Sequence, residues 1–414
     1  KPFQPFCDQV IGFLDILSKE LNLLKNIKKY PDLKGLSFWC RKQNILKLKK
    51  EFYLNSNKIG LGLVFHVTPS NIATNFAYSL IFGLLSGNSN IVKVPSQNFQ
   101  QITLICILIK KILRKKNSSS KFEVVSNPEF LREGEAIRDF RYPDRVVIGS
   151  NNPQKTIPVL KKLYEPVTKK GAKFISTSRR SAELIKYAAN AFLATKITFI
   201  NEIANLCEQV GSNVEDIAIG IGTDARIGSR FLRAGPAYGG SCFPKDTKAL
   251  TKIGKRFKTH MSVVETVIKS NEKRKNNLAD KILNILKNPK GKKVGFLGVT
   301  FKANTDDMRD TQCLKIFPKL LKKGVKLSYY DPTGEKKELK KIRFIKNTKE
   351  ILNNNDLVVI HTEWDEFRSL DFKSIKNKNV KIFDMRNLYQ PNEFLNKNIK
   401  YYSIGRPANE KKAW

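Results

Sequence analysis

The sequence predicts an α/β protein with an incomplete α/β region first, a helical centre next and a doubly wound C-terminal domain last. Three observations predict it. Apolar runs at 293–297, 326–330, 357–360 and 380–383 alternate with helical segments, the pattern of a parallel sheet covered on both faces. Residues 181–210 are alanine-rich, free of glycine and proline, and closed by Gly211, so they read as one long helix. Residues 58–95 read as a strand ending in a turn, an apolar helix over 73–85, a stop at Gly87-Asn88 and a second strand over 90–95.

The remaining elements follow in order. Residues 5–26 form an amphipathic helix with a polar stripe. The run Arg114-Lys115-Lys116-Asn117-Ser118-Ser119-Ser120-Lys121 is polar and serine-rich, as a linker or exposed loop is. Residues 121–177 complete a partial α/β domain with strands at 145–148 and 173–175, and residues 181–275 are mainly helical. With 414 residues, 41% of them hydrophobic, the chain can bury a sizeable core and divide into roughly two to four domains. The expected divisions are 1–120, 121–180, 181–285 and 286–414.

Composition narrows the function classes. The net charge of +39 is large, but the lysines are spread along the whole chain and no zinc-finger, RNA-binding or repeat signature accompanies them. No nucleic-acid partner is expected. The six cysteines, at 7, 40, 106, 207, 242 and 313, form no C-x-x-C pair, which with only three histidines implies a reducing compartment and no metal. His361 ends a strand-like run and reads as a satisfied structural histidine. No signal peptide is visible and no apolar run reaches membrane-spanning length, so no membrane partner and a cytoplasmic location are expected.

The richest chemistry lies in Gly239-Gly240-Ser241-Cys242-Phe243-Pro244-Lys245-Asp246. A thiol attacks as its thiolate, which a nearby cation favours, while a neighbouring carboxylate can take a proton or order a water. The glycines let the backbone approach a ligand, and Pro244 stiffens the far side. A buried structural cysteine beside a solvated Lys-Asp pair is the other reading. On the long helix, Lys186 and Asn190 share a face, where they could hold a sugar hydroxyl or an oxyanion, or form an ordinary solvated pair.

These residues gain a common meaning from a resemblance. Ser126-Asn127-Pro128-Glu129-Phe130-Leu131-Arg132-Glu133-Gly134, the long helix, the run from Arg226 to Asp246, and Phe301-Lys302-Ala303-Asn304-Thr305-Asp306-Asp307-Met308-Arg309 resemble the UDP-glucose/GDP-mannose dehydrogenase family, in the family's order and over about 121–407. The UDP-glucose branch fits best. The resemblance implies a central helical dimerisation domain, a homodimer, and a C-terminal Rossmann-like domain that binds UDP. It also implies two hydride transfers to NAD, which take the sugar C6 alcohol to a carboxylate. Cys242 would capture the aldehyde as a thiohemiacetal and then carry a thioester. By the same match Lys186 and Asn190 hold the oxyanion, Asp246 orders a water or accepts a proton, and Glu129 assists hydrolysis. Phe130, Leu131, Arg132, Arg226, Arg233, Tyr238, Gly239, Lys302 and Arg386 would cradle the UDP-sugar. Glu133, Lys245 and Arg309 would approach the nicotinamide cofactor.

No G-x-G-x-x-G at a strand-to-helix junction precedes Lys121, so the family's N-terminal NAD-binding domain is expected to be missing. In its place, residues 1–116 are similar to the start of an acyl-CoA reductase of the aldehyde dehydrogenase superfamily. That resemblance would set Pro69-Ser70-Asn71 by the cofactor, Asn71 as an oxyanion donor, and Lys93 near the adenosine ribose. Three functions therefore stand at this level: NAD-dependent oxidation of UDP-glucose, an inactive UDP-sugar-binding or dimerising protein, and acyl-CoA or aldehyde reduction.

Overall fold

Helical spacing of leucine and isoleucine builds the start of the chain. In α1 (Asp8–Asn22), Ile11, Leu14, Leu17 and Leu21 are buried against Leu33 and Leu36 of α2 (Pro31–Trp39) and Ile45 of α3 (Lys42–Phe52). The computed structural model describes residues 4–25, 27–52, 60–66, 68, 72–94, 99–116, 123–372, 375–377, 379–394 and 399–407. It divides into two units, Lys1–Glu129 with Tyr142–Glu183, and Phe130–Arg141 with Leu184–Trp414.

In the first unit, β1 (Leu63–His66) and β2 (Ser89–Val92) pair in parallel with α4 (Asn75–Leu85) between them, and α5 (Gln100–Lys116) closes the helical core. A second sheet joins β3 (Val125–Ser126), antiparallel, to β4 (Arg145–Ser150), which runs parallel to β5 (Lys173–Thr177) across α7 (Pro153–Thr168). Phe65 of β1 and Ile91 of β2 pack on the core of Val146, Ile148, Leu160 and Tyr164, with the Phe65 and Tyr164 rings edge to face at 5.8 Å. The early strand–helix–strand unit thus shares a core with the strands beyond residue 121. A polar run between two elements looks the same in sequence whether it joins two proteins or two halves of one unit. Residues 117–121 of that run, and Pro69-Ser70-Asn71, lie outside the described residues.

The second unit holds α6 (Ala136–Arg141), most of α8 (Arg179–Val210), α9 (Val214–Gly222), α10 (Phe243–Arg256) and α11 (Ser262–Leu286). Beyond them come β6 (Lys293–Leu297), α12 (Cys313–Lys322), β7 (Lys326–Tyr330), β8 (Arg343–Phe344), α13 (Thr348–Asn354), β9 (Leu357–Ile360), β10 (Lys381–Asp384) and β11 (Lys400–Ser403). The six strands form one parallel sheet in the order β8-β7-β6-β9-β10-β11. Renumbered from its own first strand, that is the doubly wound order 3-2-1-4-5-6, whose crevice opens where β6 and β9 diverge at their carboxyl ends. Gly298 lies there at φ +76°, and a Cβ on it would meet the Thr362 Cβ at 2.5 Å. Glycine is the residue that fits. Among the described residues, no helix is long and apolar enough to cross a membrane.

Candidate active site

The loop that carries Cys242 is pinned from two helices and from the residue that caps a third. Asn201 of α8 accepts the Gly235 N–H through Oδ1 at 2.9 Å. On α11, the Asn271 amide accepts from Tyr238 N at 3.0 Å and donates to Tyr238 O at 3.1 Å, while Arg274 Nε donates to Gly235 O at 2.9 Å. Gln312, which precedes α12, donates to Ala237 O at 2.9 Å. Each bond satisfies a buried polar group on both sides. The next two residues have to be glycine. A Cβ on Gly239 would lie 2.5 Å from Asp310 O, and Gly240, at φ +78°, would put one 2.6 Å from the Phe301 ring.

Cys242 is exposed, at the N-cap of α10, with Sγ 3.6 Å from Ser241 Oγ. The positive end of the helix dipole and its free N–H groups favour negative charge at that place. One turn on, Asp246 is fully buried; it accepts from Asn190 Nδ2 at 2.6 Å, and its other oxygen faces the Lys245 ammonium at 3.4 Å. Lys186, one helical turn before Asn190, is 6% exposed. Arg309 completes the charge pattern. Its hydrogen bond to Asp307 holds the guanidinium pKa above the ordinary value, and the charges of Asp307, Glu133 and Cys242 add to that.

Polar groups also gather at the crevice of the parallel sheet. Arg386 donates through Nε to His361 O at 2.8 Å and through Nη2 to Phe301 O at 3.1 Å, and Nη1 pairs with Glu363 at 2.9 Å. Arg233 reaches Arg386 O at 2.9 Å. Lys302 donates to the Glu133 carbonyl, Thr305 donates to the Glu133 carboxylate at 2.9 Å, and Arg309 stands 3.9 Å from that carboxylate. His361 is fully buried between Gln312 Oε1 and Thr362 Oγ1, each at 3.0 Å. Burial, with the Arg386 charge behind it, pulls its pKa down to about 3. His361 is therefore neutral, and through Gln312 it ties the sheet to the glycine loop.

The structure thus links Asn190, Lys245 and Asp246 with the loop of Tyr238, Gly239 and Cys242, and it links Glu133 with Lys302 and Arg309, and Arg233 with Arg386. Two further arginines of the expected UDP-sugar cradle pair with neighbouring carboxylates. Arg226 is exposed and grips Asp224 through Nε and Nη2, and Arg132 binds Asp139 through its backbone N–H, Nε and Nη2. Phe130 and Leu131 beside it are half-buried. Glu129 belongs to the first unit, where the Lys93 ammonium lies 2.8 Å from its carboxylate. The clamps Asn201, Asn271, Arg274 and Gln312 went unread in the sequence. Their signal is faint: polar residues at helix positions that the apolar period marks as buried. Among the described residues, no cluster of three or more histidine, cysteine, aspartate or glutamate residues could hold a metal.

Comparison with known proteins agrees with this geometry. Models of the UDP-glucose/GDP-mannose dehydrogenase family match its NAD binding domain at residues 95–168, its central domain at 180–273 and its UDP binding domain at 295–391. A UDP-glucose 6-dehydrogenase of Rhizobium meliloti is 46% identical over 306 residues, 72% of this chain and 70% of the relative. One of Rickettsia bellii is 43% identical over 308 residues, again 72% and 70%. The fold resembles that of a UDP-glucose dehydrogenase from Pyrobaculum islandicum, with a TM-score of 0.66 and 24% identity, covering 97% of this chain and 95% of that one. Two expectations are corrected here. The NAD binding domain is not missing, because its family model runs from residue 95 across the polar run at 114–121. The acyl-CoA reductase resemblance of residues 1–116 falls with it. A β-α-β unit is shared by many nucleotide-binding folds and does not by itself distinguish one enzyme class from another. Lys93, expected at a ribose, instead holds Glu129.

Proposed function

The chain belongs to the UDP-glucose/GDP-mannose dehydrogenase family, and we propose that it oxidises UDP-glucose to UDP-glucuronate with NAD as acceptor. The observation that carries the reading is an exposed thiol at a helix N-terminus, one turn from a buried carboxylate that an asparagine of the long helix already orients. The first unit suits a dinucleotide, since β4 and β5 run parallel and such strands open a ligand crevice at their carboxyl ends. Lys245 and Arg309 add cations suited to a pyrophosphate.

When bound, NAD supplies the acceptor for two successive hydrides. Cys242 Sγ adds to the sugar aldehyde carbon, forming a C–S bond and placing negative charge on the former carbonyl oxygen. Lys186 and Asn190 hold that oxygen by charge and by the amide N–H left over from the bond to Asp246. Once the second hydride has left, the carbon is a thioester. A water ordered by Asp246 adds to it with help from Glu129, and the C–S bond breaks to return the thiolate and release the carboxylate. Tyr238, Gly239, Arg233, Lys302 and Arg386 line the UDP side, with the Phe130-Leu131-Arg132 backbone and Arg226 as further substrate contacts. Glu133 stands with Lys245 and Arg309 on the cofactor side.

Three finer points belong to the same proposal. The working divisions lie near residues 181 and 286, in keeping with the family models at 95–168, 180–273 and 295–391. The chain forms a homodimer through α8, on which Phe192, Phe199 and Leu206 recur every seventh residue and are 66, 49 and 56% exposed. A reducing, cytoplasmic setting suits its six free cysteines. The function is tested by NADH formation from UDP-glucose, with UDP-N-acetylglucosamine and GDP-mannose as competitors. Turnover of UDP-glucose alone supports the reading. Binding of UDP-glucose without NADH formation selects an inactive sugar-nucleotide-binding protein instead.

A further inference from the structure

Behind the glycine loop, α8 and α11 flank a partly open cavity of about 190 Å³ whose lining includes Thr198, Asn201, Asn205, Ser270, Lys273 and Arg274. Helices that pack along their length ordinarily meet through apolar side chains. Here Thr198, Asn201, Asn271 and Arg274 are only 6, 2, 3 and 7% exposed. Part of the reason is the loop, which takes up Asn201 Oδ1, both ends of the Asn271 amide and Arg274 Nε.

What is left over is a set of donors. Asn201 Nδ2 and Thr198 Oγ1 are buried with no hydrogen-bond partner. Arg274 Nη1 is shared between Asn201 O and Asn205 Oδ1, and among the described residues Nη2 makes no hydrogen bond. Burial draws the Arg274 pKa down to about 10, with the Glu208 carboxylate opposing. Lys273 adds a second cation to the lining, whose one carboxylate, Glu202, already accepts the Ser270 hydroxyl at 2.5 Å. A buried cation ringed by idle donors calls for an acceptor with negative charge.

We propose that this cavity binds a small oxoanion, a phosphate or a carboxylate, and that the occupant braces the active-site loop through Asn201 and Arg274. The volume suits it, being well above the ~10–15 Å³ that one water needs. An anion there would fix Asn201 and Arg274, the two side chains that hold Gly235, so it would tighten nucleotide binding on the other side of the loop.

The test is calorimetry on the full chain saturated with UDP, which keeps the nucleotide site from taking the titrant. Inorganic phosphate and malonate are added in separate arms at constant ionic strength in chloride. Saturable binding is expected in at least one arm, and the arm that responds identifies the anion class. Affinity should fall at least tenfold in Thr198→Val and in Lys273→Gln, and the anion should strengthen UDP binding in the wild type only. Two results overturn the proposal: no saturable binding in either arm, or undiminished binding in both variants. The isotherm can be read whether or not the chain turns over UDP-glucose.

Discussion

The first unit spreads five strands over two small sheets, whereas the second gathers six into one parallel sheet, and the two units handle polar groups differently. In the second unit, His361, Asn271, Arg274 and Asp246 are buried and hydrogen-bonded to backbone or to neighbouring side chains, so the site rests on a network that fixes positions. The cores of the first unit are mainly aliphatic and aromatic, and its pairing of Lys93 with Glu129 keeps both side chains partly in contact with solvent, at 9 and 18% exposure. Precision should therefore reside in the second unit, and tolerance in the first.

Substitutions can break that comparison. The largest effect is expected from Lys186→Ala, which removes the cation proposed to hold the oxyanion: kcat should fall about 100- to 1000-fold with little change in melting temperature. Steady-state kinetics and a thermal melt check both parts. Next comes the buried histidine. The folded-state pKa of His361 lies near 3 against 6.5 when unfolded. The unfolded chain therefore takes up a proton as pH falls below 6.5, while the folded chain does not. Stability should be lost through that window by about 1.4 kcal/mol per pH unit, and above pH 6.5 the effect should vanish. Denaturant melts of wild type and His361→Gln between pH 7 and pH 5 isolate it, since only the wild type should carry this slope.

Gly240→Ala should cost about 1–3 kcal/mol, because an alanine at φ +78° is strained and its Cβ meets the Phe301 ring. A raised KM for UDP-glucose should accompany the loss. The smallest effect is expected from Lys93→Met in the first unit, about 1–2 kcal/mol by urea titration, since the pair is partly solvated. A cost for Lys93→Met above that of Gly240→Ala would reverse the ranking of the two units.

How much the sequence disclosed follows the same division. Long buried strands such as β6, β7 and β9 announced themselves as apolar runs. β8, two residues long, and β11, with Lys400 and Ser403 at its ends, carry too little pattern to be seen. The site residues from Gly239 to Asp246 were legible because their chemistry is contiguous. Asn201, Asn271, Arg274 and Gln312 meet only after folding, from α8, α11 and the residue before α12. In the first unit, looking for one glycine pattern hid a domain whose family model begins at residue 95. The polar run near residue 117 was given the meaning of a boundary, although Phe65 and Tyr164 on its two sides share a core.

The central claim is that sulfur at residue 242 holds the sugar between two oxidations. Its most direct measurement is the yield of NADH per UDP-glucose consumed, in the wild type and in Cys242→Ala. The wild type should give about two NADH with UDP-glucuronate as the product, and Cys242→Ala should give no sustained turnover. A Cys242→Ala enzyme that makes UDP-glucuronate at the wild-type rate would contradict the account.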